Sequence, residues 1–252
     1  MKYLFSLIIV SFYFIGCSST LDTINLGAEE RLKYAVGLYN DEDYLEAVNE
    51  FQALILQYPG NVIADDAQYY LAMTRYKREE YVMAAFEFSK LIKNMPASEF
   101  VPESQYMLAE CYYKLSPSYS LDQRYSKKAI EEYQAFIDFF PANAKVQEAE
   151  AKIDELNEKL AEKEYNSAYI YVKLEYYTAA LIFYNSVIDT YHDTKYAPLA
   201  MYDKINLLAD RGRNSEALAE IAKYVQRYPD NARIGELERL KNTLENKLSA
   251  AR

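Results

Sequence analysis

His192 is the only imidazole in this 252-residue chain. It precedes Asp193, but no serine, histidine and acid stand in a nucleophile–base order. No cluster has metal-ligand spacing, and no glycine-rich phosphate loop is present. At a helix end, the His–Asp step reads as a cap rather than a general base. Cys111, within Leu108-Ala109-Glu110-Cys111-Tyr112, reads as a small buried residue. The abundant acids read as solvated helix faces and turns. The expectation is therefore a protein that is not an enzyme and needs no cofactor or metal. What remains is recognition chemistry: the chain has 27 tyrosines and no tryptophan. A phenol pairs apolar area with one polar tip and costs little to order.

Where those phenols point depends on the elements that carry them. Ala, Glu, Leu, Lys and Tyr dominate, with six glycines and seven prolines, a composition that reads as all-α. A unit is visible at 28–61: a helix over 28–40, an acidic turn Asp41-Glu42-Asp43, a helix over 44–58, then Pro59-Gly60-Asn61. Its marks are Ala35, Ala47, Phe51 and Pro59. The same offsets give Ala72, Ala84, Phe88 and Pro96. Further along they give Ala168, Ala180 and Tyr184, with His192 in the proline's place, and then Ala217, Ile221 and Pro229. The third unit starts at Pro102 with Leu108, Ala109 and Tyr112, and its second helix supplies Ala129, Tyr133 and Pro141, displaced by eight residues. Small residues suit the close crossing of two helices, a large ring fills the adjoining hole, and proline ends the second helix. The pattern resembles the tetratricopeptide repeat. It implies a right-handed solenoid of about five helix pairs, closed by a C-terminal capping helix carrying Leu237, Leu240, Leu244 and Leu248.

In such a solenoid the first helix of each pair lines the concave face. Its fifth place reads Leu32, Tyr69, Tyr106, Tyr165 and Tyr202. The twelfth reads Tyr39, Tyr76, Tyr113, Val172 and Ala209, and the thirteenth Asn40, Lys77, Lys114, Lys173 and Asp210. The candidate protein-binding groove is thus Tyr39, Tyr69, Tyr76, Lys77, Tyr106, Tyr113 and Lys114. There the lysines would take a carboxylate and the phenols an aromatic side chain, as a peptide C-terminus ending in an aromatic would present them. Inter-helix packing is the competing account of the same residues.

Compartment is written at the N-terminus. Met1-Lys2, the apolar run from Tyr3 to Ile15, and Gly16-Cys17 are too short to span a bilayer and describe a secretory signal. With Cys17 directly after Gly16, the segment resembles a bacterial lipoprotein signal, although Phe14 stands where Leu is usual. Cys17 is the expected lipidation residue, and Ser18 points to the outer membrane. The formal charge is −10, and losing Lys2 with the signal leaves a mature chain near −11. That argues against nucleic acid or anionic lipid headgroups as main partners, since both need Lys/Arg surfaces. If Cys17 carries a thioether, Cys111 has no disulfide partner.

Two irregular stretches separate this chain from a plain repeat array. An insertion of about 115–125 interrupts unit three. Val146, Ala149, Ile153, Leu156 and Leu160 form the stripe of a packed helix running without Gly or Pro into Tyr165 and Tyr169. It reads as one helix of about 30 residues, or as two with a break near 162–164. The resulting division is signal peptide 1–16, anchor and linker 17–27, units one to three over 28–145, and the long helix with units four and five over 146–252.

With these features the chain resembles the BamD family, the lipoprotein component of the outer-membrane β-barrel assembly (BAM) complex. The resemblance implies a scaffold lipid-anchored on the periplasmic side of the outer membrane. Its implied partners are the POTRA domains of a BamA-type barrel protein, through units four and five, other complex subunits, and unfolded barrel precursors, through units one to three. The alternative is a periplasmic repeat adaptor that recruits peptidases or cell-wall synthesis factors.

Overall fold

The computed structural model describes residues 25–250, and Cys17 lies outside the described residues. Every regular element from residue 28 onward is an α-helix. The five pairs are α1 (Ala28–Asn40) with α2 (Tyr44–Gln57), α3 (Ala64–Lys77) with α4 (Tyr81–Asn94), α5 (Val101–Leu115) with α6 (Arg124–Phe139), the second half of α7 (Val146–Lys173) with α8 (Tyr177–Thr190), and α9 (Tyr196–Asp210) with α10 (Asn214–Arg227). Helix α11 (Ile234–Ala250) follows. Each helix packs against its neighbours in chain order, so the fold is a tetratricopeptide-repeat solenoid in which stacking supplies the core.

The repeat marks occupy the places their sizes demand. Ala35, Ala72, Ala109, Ala168 and Ile205 on first helices, and Ala47, Ala84, Ala129, Ala180 and Ala217 on second helices, are fully buried at the crossings. Phe51, Phe88 and Tyr133 fill the adjoining holes with no exposure. Pro59, Pro96, Pro141 and Pro229 each follow the capping residue of a second helix, and His192 takes that position after α8. Between first and second helices the chain turns through a left-handed residue: Glu42, Glu79, Glu175 and Gly212, with φ of 62°, 61°, 62° and 72°. Only the glycine is free of the side-chain clash that conformation brings.

Helix α7 is unbroken over 28 residues. Ala149 and Leu156 in its first half belong to the core of units two and three, while Ala161 and Ala168 belong to the core of units four and five. One rigid element therefore bridges two hydrophobic clusters. In unit three, residues 116–123 form a loop instead of a tight turn. Gln123 Nε2 donates to the carbonyls of Ser118 (2.7 Å) and Leu121 (3.1 Å). Lys159 Nζ and Lys163 Nζ on α7 donate to Ser116 Oγ at 2.9 Å and to the Leu121 carbonyl at 2.5 Å. At the far end Leu237 and Leu244 are buried in the last cluster, so α11 caps the solenoid.

Candidate protein-binding groove

The phenols of the first helices are engaged in ring contacts. Tyr39 meets Tyr70 edge-on at 5.5 Å between centroids, Tyr69 stacks on Phe100 at 4.4 Å, and Tyr76 meets Tyr81 at 5.4 Å. Tyr106, only 4% exposed, lies edge-on to Tyr133 and Phe136, and Tyr113 also meets Tyr133. At the fifth place, from Tyr69 onward, a partner comes from the next unit each time. Phe100, just before α5, covers Tyr69. Lys145, just before α7, stands 4.4 Å over the Tyr106 ring. Tyr165 donates to Asp203 of α9 at 2.5 Å. Tyr202 donates to Glu236 of α11 at 2.7 Å, with Arg233 4.1 Å above its ring. This file of tyrosines is a seam that joins consecutive units.

In unit three the seam becomes a polar cluster. Lys152 of α7 pairs with Glu110 of α5 and with Glu148 at 3.1 Å, and donates to Tyr106 Oη at 3.1 Å. Tyr133 Oη donates to the same Glu110 carboxylate. Burial, then the contact with Glu110, pushes the Tyr133 hydroxyl far above the ordinary phenol range. Against the burial that would lower it, the bonds to Glu110 and Glu148 hold the Lys152 ammonium above the ordinary lysine range. Tyr113 Oη donates to Glu155 at 2.6 Å. Side chains of α7 thus reach across to α5 and engage Tyr106 and Tyr113.

Lys77 and Lys114 are different. Both are exposed in the last turns of α3 and α5 and make no ion pair or hydrogen bond among the described residues. There they complement the negative end of the helix dipole and remain available to an anion. Next to Lys77, the half-buried Tyr76 hydroxyl is pushed up to about 12 by burial, with Glu110 adding to it. At the other end of α3, burial followed by the charges of Asp65 and Glu99 raises the Asp66 carboxyl. Helix α3 therefore runs from acidic in its first turn to basic in its last.

Two features were not visible as sequence motifs. The first is a polar clamp inside the helix pairs. Arg31 donates to Glu50 at 2.7 Å, Gln68 to Glu87 and Gln105 to Glu132 at 2.8 Å, and Lys204 pairs with Glu220 at 3.0 Å. Glu50, Glu87 and Glu110 are buried, which corrects the reading of the acids as uniformly solvated. Each clamp carboxylate sits one residue before the ring or Ile of its second helix, a spacing that could have signalled it. The second feature is a groove of about 650 Å³ beside α8, α9 and α10, lined by Asn185, Asp189, Lys204, Glu220, Lys223 and Arg227 among others. A second of about 340 Å³ shares Asn185, Lys204 and Glu220 with it. Although burial opposes it, hydrogen bonds from Lys223 and Lys204 hold the Glu220 carboxyl below its usual range.

His192 Nδ1 lies 2.8 Å from Asp193 in an exposed turn. Cys111 is fully buried with no disulfide partner among the described residues, and burial raises its thiol far above the ordinary range. Among the described residues no acid, His and Cys group has metal-holding geometry, and no helix is long and apolar enough to cross a membrane.

Comparison with known proteins places the chain further. Among solved structures it is similar to a tetratricopeptide-repeat protein of Thermus thermophilus, with 20% identity, 86% of this chain and 98% of that one covered, and a TM-score of 0.37. The TPR2AB domain of yeast Sti1 matches at 17% identity over 88% and 84% of the two chains, with a TM-score of 0.43. The outer membrane protein assembly factor BamD of Rickettsia prowazekii (strain Madrid E) is 26% identical over 232 residues, 91% of this chain and 92% of that protein. The model of the YfiO family, described as outer membrane lipoproteins, matches residues 28–217. That span takes in the unit-three insertion, the whole of α7 and all five first helices, and the chain belongs to the YfiO/BamD family of outer membrane lipoproteins.

Proposed function

We propose that this chain is the lipid-anchored scaffold of a machine that inserts β-barrel proteins into the outer membrane, held on its periplasmic side through Cys17. The observation that carries the reading is the family match over 28–217, together with a relative named as an outer membrane protein assembly factor that aligns over nearly its whole length. Units four and five bind the POTRA domains of a BamA-type subunit. The mixed-charge groove around Lys204 and Glu220 gives such a partner a polar surface rather than an apolar one. Incoming precursors bind on units one to three, with Lys77 and Lys114 receiving a terminal carboxylate beside Tyr76. The test is affinity recovery of the tagged chain from detergent-solubilised envelopes. Co-recovery of a POTRA-bearing barrel protein is the expected result. Recovery of peptidases or cell-wall synthesis factors without it favours the adaptor reading and overturns this one.

A further inference from the structure

Leu56 and Val62 are both 81% exposed, the highest of the large apolar side chains among the described residues. Single exposed apolar residues are ordinary on soluble proteins. These two are distinguished by what lies between them and by what is tied to them. Tyr58, at the end of α2, donates its hydroxyl to the carbonyl of Leu26 at 3.2 Å. The bond fastens the segment before α1 against the α2–α3 loop. Leu26 follows Cys17 by nine positions, and nine extended steps of chain reach roughly 30 Å. A lipid on Cys17 therefore holds this loop close to the bilayer.

Charge singles out the same loop. The connections after α4, α6, α8 and α10 carry Glu99, Lys145, Asp193 with Lys195, and Asp230 with Arg233. The connection after α2 carries none, and no charged residue occurs from Phe51 to Ala64 in a chain that is 26% charged. An uncharged stretch made of the last turn of α2, which carries Leu56, and the loop after it, which carries Tyr58 and Val62, enters the headgroup layer without desolvating an ion. Gly60, in a left-handed turn with φ 75°, brings the chain round between them.

We propose that the last turn of α2 and the α2–α3 loop dock on the lipid surface, seating Leu56 and Val62 at the headgroup–acyl boundary so that unit one is oriented as well as tethered. The proposal rests on the reading of Cys17 as lipidated. Because the chain has no tryptophan, Leu56→Trp and Val62→Trp each install a single indole in the full lipidated chain. Ile182→Trp, on the exposed side of α8, is the control. Each variant is reconstituted with phosphatidylethanolamine–phosphatidylcholine vesicles, with or without bromine on the acyl chains, and recovered by flotation. All three are expected to float, with bromolipid quenching several-fold stronger for Leu56→Trp and Val62→Trp than for the control. Floated protein with quenching no stronger than the control overturns the docking and leaves the anchor standing. Failure to float overturns both. A blue-shifted indole that bromolipid does not quench identifies a protein neighbour, a second copy included, and also overturns the proposal.

Discussion

The side-chain amide of Gln68 donates to both the backbone carbonyl of Glu87, at 3.1 Å, and its carboxylate, at 2.8 Å. Gln105 repeats the arrangement on Glu132 at the same two distances. A first helix thereby binds a second at a defined height, with a fully buried amide answering a buried acid. Packing alone leaves a pair of alanine-lined helices able to slide; the clamp selects one register.

Removing the acceptor exposes the cost. Glu87→Ala leaves Gln68 without its side-chain partner and is expected to lose about 1–3 kcal/mol of stability. Glu87→Gln, which keeps an acceptor, is expected to lose less. Urea unfolding followed by circular dichroism measures both, and equal losses would mean the hydrogen bond contributes nothing.

Lys152 is the cation on which α7 closes over unit three. Lys152→Met leaves Glu110 buried without its counter-charge and is expected to cost about 3 kcal/mol. Adding Glu110→Gln removes the stranded charge and is expected to recover most of the loss. Additive losses in the double variant would contradict the coupling.

The three left-handed glutamates carry a penalty that Gly212 does not. Glu79→Gly relieves a clash of about 1 kcal/mol, partly offset by the greater freedom of glycine in the unfolded chain. A net gain of a few tenths of a kcal/mol, seen as a small rise in Tm, is expected. A fall in Tm would show that the Glu79 side chain contributes in ways its backbone does not reveal.

Alkaline stability follows from the tyrosines. Burial, then Glu110, pushes Tyr76 up to about 12, and burial, then the bond to Glu155, does the same for Tyr113. A folded value raised above the unfolded one gives stability that is complete below about pH 10 and is lost as pH rises toward 12. Phenolate absorbance should therefore rise in two stages, exposed rings first and these with unfolding. A single titration near pH 10 with helicity intact would refute it.

The groove reading is tested by Lys77→Ala/Lys114→Ala. Two exposed cations contribute up to about 1 kcal/mol each to a bound anion, so affinity for a barrel C-terminal peptide should fall by roughly tenfold, with a weaker salt dependence. Unchanged affinity and salt dependence would assign both lysines to helix ends alone.

How far the sequence reached depends on the range of the forces concerned. Helix pairs, crossing alanines, buried rings and closing prolines are set by side-chain size at fixed spacing, so the periodicity alone determined the solenoid and the stretches that interrupt it. The continuity of α7 was left open there, because a helix of that length can break wherever its two ends pack in separate cores. Whether a tyrosine at a repeat position binds or packs depends on what the next unit places above it. Only the tertiary structure shows those neighbours: Phe100, Lys145, Asp203 and Glu236 lie in adjoining elements and engage Tyr69, Tyr106, Tyr165 and Tyr202. The same holds for the buried Glu50 and Glu87, whose clamp partners lie 19 residues away across the helix pair. Local propensity and hydrophobic period are properties of a segment, but the partner of a buried polar group is a property of the stack.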